Sequence, residues 1–137
     1  MLEMDEVQMM MRVAVGKAAE LDAGIAVAIV DEGGYVQGVL RTDKANRISS
    51  AIAISKAYTS AILRRPTVEI VEDGPEVLAA RRGLGLYPMT GSGGGIPIWR
   101  DGVVIGGIGV GGALPDPDIA CAEAALAALA ALADRAS

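Results

Sequence analysis

The sequence predicts a mixed α/β (α+β) fold, an antiparallel sheet of about four to five strands flanked by helices. Two hairpin signatures predict the sheet: residues 25–31 and 35–41 across Glu32-Gly33-Gly34, and residues 96–100 and 103–111 across Asp101-Gly102. Helical spacing precedes, separates and follows them, an order that lays helices on an antiparallel sheet. The chain's 137 residues fit one domain, 1–137, and its 52% hydrophobic but 3% aromatic composition, with no Phe, gives a core of Ala, Val, Ile and Leu.

Over residues 3–22, Val7, Met10, Met11, Val13, Ala14, Ala18 and Leu21 recur at helical spacing and define the first helix. The first hairpin follows, with Asp31 and Arg41 at its outer ends, where they could pair. After a polar break, residues 48–64 form a helix with Ile48, Ala51, Ile52, Ser55, Tyr58, Thr59 and Ile62 on one face. Ala53, Ile54, Ala57 and Ala61 make its other side apolar too, which predicts self-association to a dimer or higher homo-oligomer. Pro66 ends this helix, and residues 67–83 hold short helices broken at Asp73-Gly74-Pro75. Asp101-Gly102 is a type I′ turn signal in the second hairpin. At Pro115-Asp116-Pro117-Asp118 a last helix starts, with Asp116 as N-cap, Pro117 at the first position and Asp118 favoured by the dipole, and it runs to about residue 134.

Composition removes several function classes. A net charge of −5 disfavours nucleic acid as a partner, and no run reaches membrane-spanning length. Without a signal-like N-terminus, the default location is cytoplasmic. The absence of His removes Ser-His and Cys-His nucleophiles and mixed zinc sites. The single Cys121 lies among alanines as a small apolar filler. The acidic residues Glu69, Glu72, Asp73 and Glu76 lack a metal-ligand pattern, so no metal is assigned.

Residues 91–112 are the densest glycine region. Gly93, Gly94 and Gly95, followed by Ile96, could present amides to a carboxylate, phosphate or developing oxyanion. No Gly-Lys-Ser/Thr follows, and the later glycines lie within a strand, so neither a phosphate loop nor a dinucleotide fingerprint fits. Those glycines, 106–112, read as a strand kept smooth for packing or subunit contact. Lys56 borders the apolar face of the 48–64 helix, where a lysine holds an anion, acts as a base if desolvated, or snorkels to solvent. Tyr58 is a hydrogen-bond donor to a ligand or a core tyrosine, Asp31 a proton acceptor or a solvated hairpin end, and Arg64 a helix-end charge or a carboxylate clamp. Thr67 is placed to cap the next helix.

Lys56-Ala-Tyr-Thr59, Arg64-Arg-Pro-Thr67, Gly94-Gly-Ile-Pro97, Asp101-Gly-Val-Val-Ile-Gly106 and Ile108-Gly-Val110 stand in an order and spacing that resembles the GlcG/HbpS-like family. That family includes GlcG, haem-binding HbpS and the C-terminal domain of PduO-type corrinoid adenosyltransferases. The resemblance covers almost the whole chain. It implies a compact α/β domain with an antiparallel sheet, oligomers from dimers to octamers, and a pocket for haem or a related tetrapyrrole. Related proteins commonly hold haem through His, which this chain lacks; Tyr87 and Met89 beside the glycine loop are the substitutes it offers.

Two functions follow, beside the third possibility of a purely structural oligomer subunit. One is a small-ligand-binding or accessory protein, with haem the family-derived ligand, held between the glycine loop and the Lys56 helix. The other is a cofactor-independent isomerase, lyase or cyclase acting on a carbonyl or carboxylate substrate, with loop amides as the oxyanion site and Lys56, Tyr58 or Asp31 moving the proton.

Overall fold

A computed structural model describes residues 1–136. Its elements run α1 (Met4–Glu20), β1 (Ala26–Asp31), β2 (Val36–Arg41), α2 (Ser49–Leu63), α3 (Thr67–Ile70), a 3-10 turn (Val71–Asp73), α4 (Pro75–Arg81), β3 (Gly95–Arg100), β4 (Val103–Gly111) and α5 (Pro115–Ala136). The four strands pair antiparallel in the order β2-β1-β4-β3. Both hairpins form as predicted. Asp101 and Gly102 both take positive φ, 52° and 77°, as a type I′ turn requires.

Strand alternation gives the sheet two different faces. Val27, Ile29, Ile98, Ile108 and Val110 meet α1 and α5, forming the larger core with Val7, Met10, Ala14, Cys121, Ala122 and Ala125. Ala26, Ala28 and Val30 meet α2 through Ala53, Ala57 and Ala61. The result is three layers, with α1 and α5 on one side of the sheet and α2 on the other.

The glycines of β4 explain how α2 sits. Gly107, Gly109 and Gly111 alternate on the α2 face, and a Cβ at Gly107 would lie 2.5 Å from the Ala57 carbonyl oxygen. At Gly109 it would collide with the Ala53 carbonyl oxygen and the Ala57 amide, and at Gly95 of β3 with the Lys56 carbonyl oxygen. No rotamer relieves these contacts, because the obstructing atoms are helix backbone. The sequence expectation of a smooth strand therefore resolves to packing within the subunit: helix backbone rests on strand backbone.

Several local readings change. Asp31 and Arg41 do not pair, because the antiparallel register puts Arg41 opposite Ala26 while Asp31 lies at the turn. Asp31 Oδ1 instead accepts from the Gly33 and Tyr35 amides, both at 2.9 Å, and Arg41 donates to the Arg47 carbonyl. The last helix begins at Pro115, so Asp116 is a first-turn residue and not the N-cap. Thr67 caps no helix; its hydroxyl accepts from the Gly95 amide at 2.9 Å and joins α3 to β3.

Gly109→Ala is expected to destabilise the fold by about 3 kcal/mol, the upper part of the range for forced overpacking, as measured by denaturant unfolding. Gly83→Ala, where a Cβ meets nothing within 4 Å, is expected to stay within about 0.5 kcal/mol of the parent. Equal effects from the two substitutions would remove the close-approach explanation.

Candidate ligand groove and buried ion pair

The outer face of α2 is covered in part by the chain itself. Three hydroxyls strap residues 86–90 to the helix. Ser55 Oγ donates to the Pro88 carbonyl, the Tyr58 hydroxyl accepts from the Leu86 amide at 3.0 Å, and Thr59 Oγ1 accepts from the Thr90 amide at 3.1 Å. Gly85, at φ 78°, admits the Tyr58 hydroxyl, which any Cβ there would strike. Between strap and helix runs a groove of about 350 Å³ lined by Ile48, Ala51, Ile52, Ile54, Ser55, Tyr87, Pro88 and Thr90. Its walls are mostly aliphatic. The Tyr87 ring stands edge-on to Tyr58, with centroids 5.5 Å apart and planes at 77°, and among the described residues its hydroxyl has no hydrogen-bond partner.

On the sheet side lies a buried ion pair. Lys56 does not snorkel: both it and Asp118 are 3% exposed in their side chains, and Lys56 Nζ donates to Asp118 Oδ2 at 3.1 Å and to the Val110 carbonyl at 2.9 Å. Glycine makes the room, since a Cβ at Gly94 (φ 127°) would lie 3.0 Å from Lys56 Nζ and 3.1 Å from Asp118 Cβ. Burial pushes the Asp118 carboxyl above its ordinary value of 3.8, and the Lys56 charge and hydrogen bond, with the Ala113 amide, oppose the rise. A second cavity, of about 290 Å³, opens beside the pair between the N-terminal ends of α2 and α5.

The sequence-predicted site residues divide between these places. Tyr87 lines the groove, and Met89 is buried without lining it. Arg64 is exposed at the C-cap of α2 in the left-handed region, φ 58°, while the groove follows the first half of that helix. Gly93 and Gly94 are buried beside Ile119 and the Lys56–Asp118 pair, and Ile96 packs at the margin of the larger core. The three alternatives for proton transfer are each engaged within the fold, Lys56 with Asp118, Tyr58 with Leu86 and Asp31 with its own turn. The Gly95 amide is likewise taken by Thr67, which removes one donor from the predicted oxyanion site. Sequence reasoning missed Asp118 as the partner of Lys56, and Ser55 and Thr59 as the strap. Their signal was three polar residues on one helix and an acid in the first turn of another.

The groove thus offers apolar walls and one phenol that has no other partner among the described residues. Burial pushes the Cys121 thiol up to about 11, so it stays protonated within the core. Among the described residues no cluster of three or more His, Cys, Asp or Glu is placed to hold a metal ion. No described helix is long and apolar enough to cross a membrane.

A three-layer α/β/α domain with an apolar groove on its outer helix defines the class. The chain belongs to the HbpS-like family, described as haem-degrading protein HbpS-like, whose pattern matches residues 2–127. In fold it is similar to the PduOC protein crystallised as a haem complex, at TM-score 0.85 and 29% identity, covering 93% of this chain and 94% of that one. It is equally similar to a doubly substituted HbpS of Streptomyces reticuli, at TM-score 0.85 and 30% identity, covering 93% and 86%. The corrinoid adenosyltransferase PduO of Citrobacter freundii is 31% identical over 136 residues, but the chain spans only 39% of that relative's length.

Lys56→Met is expected to cost about 3–5 kcal/mol at neutral pH by stranding a buried carboxylate. Asp118 binds protons more tightly folded than unfolded, so its contribution to stability declines as pH rises from 3.8 through the folded midpoint. A carboxyl NMR titration should place that midpoint above 3.8 and, in Lys56→Met, higher still. A midpoint below 3.8 in the parent protein would contradict the balance of burial over pairing.

Proposed function

We propose that this protein binds haem or a closely related tetrapyrrole in the groove between α2 and residues 86–90. One observation carries the reading: an apolar groove with a single unpartnered phenol, Tyr87, on the outer helix of a fold whose relatives include a haem complex. With no His in the chain, the Tyr87 phenolate holds the iron, as tyrosine does in some haem proteins. Ile48, Ala51, Ile52 and Ile54 cover the ring and exclude water. The hydroxyls of Ser55 and Thr59 act indirectly, fixing the strap that carries Tyr87 and Thr90. When bound, haem supplies a redox-active iron. The protein's own residues bind and orient it.

Self-association fits the same picture. The exposed apolar residues Val36, Val39 and Leu40 on the edge strand β2 give a second copy a surface to cover, and light scattering of the samples below reports it.

Haemin titration of the purified protein is expected to give a stoichiometric Soret change with a phenolate-to-iron charge-transfer band. Tyr87→Phe keeps the ring against Tyr58 and should abolish that band while weakening binding about tenfold, a loss near 1.4 kcal/mol. An unchanged spectrum and affinity in Tyr87→Phe would reject Tyr87 as the ligand, and non-saturating uptake by the parent would reject the groove as a haem site.

A further inference from the structure

The cavity beside the Lys56–Asp118 pair holds a polar atom that the fold leaves unserved. Ser49 is fully buried, and its Oγ has no hydrogen-bond partner among the described residues. A buried hydroxyl left in this state carries a desolvation penalty of about 1–3 kcal/mol. Gly112, at φ 113°, preserves the space around it, since a Cβ there would lie 2.5 Å from Ser49 Oγ.

The surroundings are rich in donors. Ser49 is the first residue of α2, a 15-residue helix whose N-cap Ile48 supplies no side-chain hydrogen bond and whose first turn has no acid. The amides of Ser49 and Ile52 reach the Asn46 and Ile48 carbonyls, whereas those of Ser50 and Ala51 have no acceptor among the described residues. The positive end of the helix is thus left uncompensated. An ammonium has three donors, and Lys56 spends two of them on Asp118 and Val110. Its third remains for a molecule in the cavity, which Lys56 lines together with Ser49.

We propose that this cavity binds a small monoanionic carboxylate beside the N-terminus of α2, its oxygens accepting from the Ser49 hydroxyl and the remaining N–H of Lys56. The class follows from the neighbours. The space, about 290 Å³, suits a molecule of a few carbons. Asp118 at its wall repels a dianion such as phosphate more strongly than a monoanion. The site is separate from the haem groove, with which it shares only the ridge of Ile48 and Ile52, so either site can fail without the other.

The test is a ¹H–¹⁵N NMR titration of the whole chain at pH 8, where inorganic phosphate is mostly the dianion, with acetate and in a second arm with phosphate, at fixed ionic strength. Acetate is expected to shift the Ser50 and Ala51 amides saturably, and phosphate to leave them in place. Ser49→Ala removes a hydroxyl that has no partner among the described residues, so the variant stays folded, and acetate affinity should fall about fivefold, equivalent to one net hydrogen bond. Absence of saturation by acetate, or equal affinity in Ser49→Ala, overturns the proposal. Saturation by phosphate, with or without acetate, overturns the monoanion assignment.

Discussion

The backbone of α2 rests directly on the backbone of β3 and β4, and the other features of this protein depend on that contact. Glycines at 95, 107 and 109 occupy positions where a methyl group would meet helix carbonyl oxygens or amides. Glycine in a strand costs conformational entropy, and here the cost is offset by close packing over the length of the helix. The small residues of α2 complete the fit, since Ala53, Ala57 and Ala61 present methyl groups to Ala26, Ala28 and Val30. A larger side chain on either side would lift the helix from the sheet.

This seating decides what happens to the polar residues of α2. Lys56 is drawn inward beside Gly94, and its charge is met inside by Asp118 and Val110. On the far side of the helix, Ser55, Tyr58 and Thr59 spend their hydroxyls on residues 86–90. One helix therefore separates two unlike environments. The outer one is an apolar groove beneath a strap, and the inner one is a polar cavity beside an ion pair.

Much of the fold was legible in the sequence, because hairpin turns and helical periods are local signals. Asp101-Gly102 fixed the second turn, and alternation placed the β strands within a residue or two. Both apolar faces of α2 were visible too, but not what covers them: the face of Ala53, Ala57 and Ala61, read as a surface for self-association, is covered by the sheet of the same chain, and the face of Ser55, Tyr58 and Thr59 by the strap, a nonlocal partner with little periodicity of its own. Lys56 was singled out at the edge of a face, yet its burial depends on glycines almost forty residues later. Asp118 read as a dipole partner because nothing local links it to Lys56. Tyr87 was selected by resemblance and by its place beside the loop, and it is the sequence-predicted haem ligand that lines the groove, whereas Met89 turns inward.

The proposed tetrapyrrole site is the outer face of α2 together with residues 87–90. The most direct measurement is paramagnetic broadening of amide and methyl NMR signals on adding ferric haem to the intact protein. Broadening centred on Ile48, Ala51, Ile52, Ser55 and Thr90, with the Trp99 and Leu129 surface unaffected, is the predicted result. Broadening centred on the β3 and α5 surface, or spread evenly over the molecule, would contradict it.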